Sequence, residues 1–360
     1  MNKEELIKQL GDLVAFKTLP GEVEENARAL DYVQKLIGEG FEMERVKNGK
    51  AEVLMASVMK GKTPKYCYMV HIDVVAGRED QFEMTMNGNK AIGRGTCDMK
   101  FSIPLGISLL KEAKDKKIDF CLMVTTDEEV GGLEGAKLIA ERGFAPQILI
   151  VPDGGENLNF VDKAKGVCQL KLVAKGKPAH ASRPWQGKNA IDSLILLGAE
   201  LIKIYGENSL AETWNTTMCI GTINGGVSTN QVCPEAEMKI DFRYPETDSI
   251  ENITDVVLKI VNDLKLAVEV TQMSTGLPTF TDVNDPEVMR YLSVMEEVFG
   301  RKIAVKQTYG ASDARHFAKL GCPVLMHKPL GGEIHSEDEW IDIDSVMTFY
   351  EGLRKYLELT

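Results

Sequence analysis

No stretch of this sequence stays apolar for the roughly 20 residues that a helix needs to cross a bilayer, so no membrane span is expected. The opening residues, MNKEELIKQLGDLVAF, form a charged amphipathic helix pattern and lack the basic leader and unbroken apolar core of an export signal. Cysteine is sparse and unpaired: seven residues, an odd number, are scattered without any C-x-x-C. That argues against a disulfide framework and for a reducing, cytoplasmic compartment, with the thiols as small buried apolar groups. Basic charge is short as well, 42 Lys and Arg against 54 Asp and Glu, for a formal net charge of −12. An acidic chain is poorly suited to nonspecific nucleic-acid binding. The expected partner is a small-molecule or short-peptide substrate, with neither nucleic acid nor membrane. Nucleotide-binding loops are missing too. GRGTCD and GGLEGA are rich in glycine but supply neither G-x-x-x-x-G-K-[ST] nor G-x-G-x-x-G after a strand.

The remainder is an ordinary globular composition, 44% hydrophobic and 27% charged, long enough for two domains. Helical patterns at about 3–15 and 23–38 precede strands near 41–47 and 51–59 and the strand YCYMVHID. A helix over 102–116, the strand DFCLMVTT, a helix near 133–143 and the strand QILIVP follow. Apolar runs of four to six residues between helices predict buried parallel strands in an α/β sheet. After about residue 165 the order becomes strand, helix, strand, strand, helix, strand, the split βαβ pattern of a ferredoxin-like α+β unit. From about 280 helix–strand alternation resumes, ending in a helix over 344–358. The expectation is an α/β domain of residues 1–166 and 280–360, a phosphorylase/hydrolase-like sheet with helices on both faces, interrupted by an α+β domain of residues 167–279.

Polar residues collect where three of the buried strands end. His71 and Asp73 close YCYMVHID, Glu128 and Glu129 follow the next strand in TTDEEVGG, and Asp153 follows QILIVP. Ligands of open α/β sheets bind outside the carboxyl ends of the strands. GRGTCDMK adds Asp98 in a glycine-flanked turn before a helix, and GGEIHSEDEW adds His335 in a glycine-rich loop. Singly, each reads as a turn, a helix cap or a wetted strand end. Gathered at one sheet edge, the carboxylates would repel one another and resist ionisation without a cation. Two histidines with several carboxylates form a mixed N/O ligand set suited to zinc, and also to cobalt or manganese.

With these motifs the chain resembles the zinc exopeptidases and deacylases typified by succinyl-diaminopimelate desuccinylase, acetylornithine deacetylase, aminoacylase and carboxypeptidase G. HID, GRGTCDMK, DEE, PDGG and GGEIHSEDE match in kind and order, and the similarity includes the inserted domain. The resemblance implies two divalent metal ions per subunit bridged by Asp98, one held also by His71 and Asp153, the other by Glu129 and His335. It implies that Asp73 orients His71 by accepting a hydrogen bond from its far nitrogen. It makes Glu128 the general base for a water activated between the metals, attacking the amide of an N-acyl amino acid or short peptide. His180, in GKPAHASRPWQGKNA, becomes a further donor to the tetrahedral oxyanion, reaching a partner's site in dimeric relatives. The inserted domain becomes a lid and dimerisation domain, and the chain a homodimer. Asn230 and Arg243 become holders of a substrate carboxylate, and Gly310 and Ser312 substrate contacts. The Asp98–Met99 peptide is expected to be cis. His316 and His327 match no ligand motif and are left structural. Phe101 departs from the family's usual glycine, so the helix packing beneath the bridge is expected to differ. The competing reading is a non-catalytic binding or scaffolding protein that keeps the fold and its metal site.

Overall fold

The computed structural model describes all 360 residues. The chain divides into two compact units. One comprises Met1–Lys163, Phe280–Thr308 and Ser312–Thr360; the other comprises Ala164–Thr279 with Tyr309–Ala311.

The larger unit is built on a nine-stranded central sheet with the order Glu42–Asn48, Ala51–Ser57, Phe120–Thr125, Tyr66–His71, Ile148–Val151, Val324–His327, Phe160–Ala164 and Thr279–Phe280, in which Val305–Thr308 also pairs with Phe160–Ala164. Its apolar strands are continuous runs because both faces are covered. Tyr66, Tyr68 and Val70 enter one core, whereas the alternate Cys67 and Met69 enter another on the opposite face. The same alternation places Phe120, Leu122 and Val124 against Cys121 and Met123, as a period of two requires. The first core takes the buried stripes of the helices Lys3–Val14, Val23–Ile37, Ser102–Lys116, Pro286–Phe299 and Ile343–Tyr356. The second takes the short helix Ala136–Glu141 and the turns of Asp313–Leu320.

The sheet is mixed rather than wholly parallel. Tyr66–His71 is parallel to both neighbours, Phe120–Thr125 and Ile148–Val151. Glu42–Asn48 and Ala51–Ser57 instead form a hairpin, because a connection that short can join only antiparallel strands. A second small sheet was not expected: Gly331–Gly332, Trp340–Asp342, Lys90–Ile92 and Thr85–Asn87. These strands are too short and polar to print a period on the sequence. They nevertheless join the GRGTCDMK segment to the terminal glycine-rich loop.

The smaller unit is a four-stranded antiparallel sheet in the order Thr217–Gly225, Glu235–Tyr244, Gly166–Lys175, Val268–Gly276. That order, second-third-first-fourth in the chain, is the ferredoxin-like arrangement. Its helix Ala190–Tyr205 buries Ala190, Leu194, Leu197, Leu201 and Tyr205, a stripe at helical spacing. No helix of either unit is long and apolar enough to cross a membrane.

Phe101 is fully buried at the start of the helix Ser102–Lys116. One turn on, Gly106 lets that helix lie close on the sheet. A Cβ there would stand 2.7 Å from Leu122 Cδ1 and 2.9 Å from the Tyr68 ring. Gly106→Ala is therefore expected to destabilise the protein by about 1–3 kcal/mol through overpacking, despite alanine's better helix propensity. Urea unfolding checks this; a stabilised variant would show that the helix can move away from the sheet.

Candidate metal centre

The strand that carries His71 stops at that residue. His71 Nδ1 lies 2.9 Å from the backbone carbonyl of Asp73 and 3.7 Å from its carboxylate Oδ1. The expected contact of the Asp73 carboxylate with His71 is thus replaced by one from the main chain. Same-face geometry fails because residue 73 is no longer in the strand. The Asp73 carboxylate instead accepts the backbone N–H of Glu129 at 3.0 Å, tying the His71 strand end to the acidic loop. A carbonyl only accepts, so His71 Nδ1 carries the proton, and in the neutral ring Nε2 presents a lone pair. That lone pair faces Asp98 Oδ1 at 3.1 Å and Asp153 Oδ1 at 3.9 Å.

A lone pair against two carboxylates is repulsive unless His71 takes a second proton or a cation lies between them. Across Asp98 the arrangement repeats: His335 Nε2 stands 3.2 Å from Asp98 Oδ2 and 3.3 Å from Glu129 Oε2. In each of the sets His71–Asp98–Asp153 and Asp98–Glu129–His335, one donor atom per residue lies within 4.8 Å of the others, and Asp98 belongs to both. Nitrogen and carboxylate donors at these spacings fit two divalent metal ions.

Without such ions the cluster titrates abnormally. Burial, and then the charge of Asp98, push Asp153 up to about 8. Burial, then Asp153, raise Glu128 well above the ordinary glutamate value. Hydrogen bonds to Asp98 and Glu129 lift His335 to about 10. Burial would raise Asp98, but the two histidines outweigh it and hold that carboxylate below its ordinary range.

Two loops place the ligands. Asp98 sits in a turn with a cis Asp98–Met99 peptide, as the resemblance implied. Glu339, almost fully buried, organises that turn. Its carboxylate accepts the N–H groups of Gly95 at 3.1 Å, Cys97 at 2.9 Å and Asp98 at 3.0 Å, and pairs with Arg94 at 2.7 Å. Arg94 also donates to the His335 carbonyl at 3.4 Å. Sequence reasoning missed Glu339 although it ends the quoted motif GGEIHSEDE; its signal was its place four residues after His335. His335 itself has a φ of 63°, the left-handed region, where a residue with a side chain is held only by its surroundings.

The loop of Glu128 and Glu129 is closed from within by Asp127, whose carboxylate accepts the N–H groups of Glu134 and Gly135, each at 3.0 Å. From outside, Arg315 and His316 both donate to the Gly131 carbonyl, at 2.6 and 3.0 Å. Gly132 is required here, with φ at 62° and a virtual Cβ only 1.9 Å from Asp313 Oδ1. Asp313, buried and bonded to Thr125 Oγ1 at 3.1 Å, also escaped sequence reasoning.

The remaining candidates belong to neither donor set. Ser312 is buried and accepts the Ala314 N–H, capping the turn it begins. His180, Asn230, Arg243 and Gly310 belong to the smaller unit. There the Ala181 N–H donates to the Asn230 carbonyl at 2.9 Å, joining the His180 and Asn230 segments. Arg243 is engaged by Asp241 at 2.7 Å. His327 is buried, bonded to Tyr291 and to the Leu158 carbonyl.

The model of peptidase family M20/M25/M40 matches residues 67–359. The chain belongs to that family. It is a hydrolase acting on amide bonds. It is 29% identical over 339 residues to a succinyl-diaminopimelate desuccinylase of Wolinella succinogenes, covering 89% of this chain and 91% of the relative. Its fold is shared by an M20 family metallo-carboxypeptidase, Sso-CP2, of Sulfolobus solfataricus, with a TM-score of 0.82, 19% identity and coverage of 100% and 99% of the two chains. It is shared also by the YXEP protein of Bacillus subtilis, a dinuclear metal binding peptidase from the M20 family, at a TM-score of 0.68, 15% identity and 99% coverage of both chains.

For this M20-family hydrolase, Glu339→Gln is expected to weaken divalent metal binding about 10- to 100-fold, because the turn bearing Asp98 loses its charged acceptor. Competition with a chromophoric chelator measures it; unchanged affinity would mean that the turn holds its shape without Glu339.

Proposed function

We propose that this protein is a co-catalytic dizinc hydrolase that cleaves the amide bond of an N-acyl amino acid or short peptide bearing a free carboxylate. The observation that carries the reading is the pair of donor sets sharing Asp98. His71, Asp98 and Asp153 would hold one ion; Asp98, Glu129 and His335 would hold the other. A dinuclear site in the B. subtilis relative supports two ions rather than one. Zinc suits the donor set, as would cobalt or manganese. Bound there, the metals supply Lewis-acid polarisation and activation of water.

Glu128 lies beside the cluster without belonging to either donor set. Its raised proton affinity suits a group that takes the proton of the attacking water and returns it to the leaving amine. Asp73 holds His71 indirectly, fixing the Glu129 backbone while its own carbonyl fixes the imidazole. His180 Nδ1 accepts the N–H of Ser182 at 3.2 Å, which leaves the proton on Nε2 and makes that nitrogen the donor to a developing oxyanion. Asn230 and Arg243 serve the substrate's carboxylate, and Gly310 contacts substrate. A desuccinylase among the relatives supports a succinyl amide as one substrate to try.

The subunit works as a homodimer joined through the smaller unit. Ile195, Leu196, Ile202 and Ile204 are each roughly half exposed on the helix Ala190–Tyr205, and Ile223 is exposed on the edge strand Thr217–Gly225. A second copy would cover both. Seven free cysteines support a reducing, cytoplasmic setting.

Glu128→Gln is expected to lower kcat by about 10²- to 10⁴-fold while metal content stays at two ions per chain. A panel of N-acetyl and N-succinyl amino acids and dipeptides, with metal analysis, reads both; undiminished turnover in the variant removes Glu128 from the mechanism. Leu196→Glu with Ile202→Glu is expected to convert the dimer to monomer in sedimentation velocity, and a wild-type monomer would refute the dimer.

A further inference from the structure

The larger unit carries a pocket of about 290 Å³ where the hairpin of Glu42–Asn48 and Ala51–Ser57 meets the helix Ala136–Glu141 and residues 59–62. Ser57 pairs with Cys121, near the start of the strand Phe120–Thr125. His71 and Glu129, by contrast, stand at or beyond the ends of their strands. The pocket is therefore at the amino ends of the parallel strands, across the sheet from the metal centre.

Strand register fixes what faces this pocket. Glu42 lies opposite Ser57 and Glu44 opposite Met55, and directly opposed residues share a face of the sheet. That face is the one covered by the second core, where the buried Met55, Ile139 and Phe144 form an apolar floor. Met59, 44% exposed, extends the floor outward. Glu42 and Glu44 make one wall, on the edge strand. The other wall is basic. Lys62 Nζ donates to the Arg142 carbonyl at 2.8 Å, and the Ala145 N–H donates to the Lys62 carbonyl at 2.7 Å, which brings the segments of Lys60 and Arg142 together. Elsewhere on the edge strand charges are paired, Arg45 with Asp31 and Glu52, and Lys47 with Glu52. The side chains of Glu42, Glu44, Lys60 and Arg142 have no ion-pair or hydrogen-bond partner. Acids and bases thus face each other across apolar surface without closing on one another.

We propose that this pocket binds a free α-amino acid with an apolar side chain. Its carboxylate meets Arg142 and Lys60, its ammonium meets Glu42 and Glu44, and its side chain lies on Met55, Ile139 and Phe144. A mostly apolar floor with a few converging charges is the usual make-up of a small-molecule site. Beside such a floor water is partly displaced, so a charge-assisted hydrogen bond is stronger than on an open surface. Methionine adapts to side chains of different shape, so selection falls on the two α-charges rather than on one residue type. The inference does not rest on the amide-hydrolase reading, since none of these residues belongs to the metal centre.

Equilibrium dialysis of labelled L-leucine against the metal-loaded protein is expected to show saturable binding. Isocaproate lacks the ammonium, isoamylamine lacks the carboxylate and glycine lacks the side chain. Each is expected to compete at least about 10-fold more weakly than unlabelled leucine. None has an amide bond, so turnover does not disturb the reading. Arg142→Met with Lys60→Met should raise the leucine half-saturation about 10-fold, and so should Glu42→Gln with Glu44→Gln. All four residues are exposed, so these variants leave the core intact. The proposal is overturned by the absence of saturable binding, or by any of the three analogues competing as well as leucine. It is overturned equally by either double variant binding leucine like wild type, which would place the amino acid at the metals or elsewhere.

Discussion

Five carboxylates, those of Asp73, Asp98, Glu128, Glu129 and Asp153, are drawn together with two imidazoles at the carboxyl ends of buried strands. Like charges so close in a partly desolvated place oppose their own ionisation, and only positive charge among them removes the conflict. Much of the surrounding structure serves to hold that crowd in place. Glu339 and Asp127 spend their own carboxylates on backbone N–H groups, stiffening the two loops that carry the ligands. Arg94, Arg315 and His316 fasten the same loops from outside.

The division of labour follows from the fold. A sheet covered on both faces has apolar side chains wherever it is a sheet, so polar chemistry can begin only where the strands end. His71 is the last strand residue and still points as the pleat dictates. Asp73, two residues later, is outside the strand and turns to the neighbouring loop. The amide-hydrolase family to which the chain belongs accounts for the reaction class.

Legibility differed with the kind of signal. Apolar runs and helical stripes marked nearly every long element, because burying those residues is what stabilises the elements. The helix expected over 102–116 occupies those residues, and the strands expected in the larger unit fall within a few residues of their places, whereas Phe160–Ala164 was not expected. Short polar strands such as Lys90–Ile92 and Trp340–Asp342 carried no period to read. Of the candidate ligands, His71, Asp98, Glu129, Asp153 and His335 could be named because they end buried strands or stand in ordered motifs. Glu339 and Asp313 could not, since an acid that will be buried looks in sequence like one that will be solvated.

By itself the sequence determined the fold class, indicated a ferredoxin-like insertion and named the residues proposed to ligate metal. Each of these rests on local pattern, on periodicity or on residue type, and needs no knowledge of distant neighbours. Tertiary structure alone decided that the Asp73 carbonyl rather than its carboxylate holds His71, that Glu339 supports the turn of Asp98, and that Arg243 pairs with Asp241 while the buried Lys165 donates to the Asn215 carbonyl. The contacts of Glu339 and Lys165, and the bond from the Glu129 N–H that draws the Asp73 carboxylate away from His71, join groups 50 to 245 residues apart, and sequence spacing does not encode such meetings.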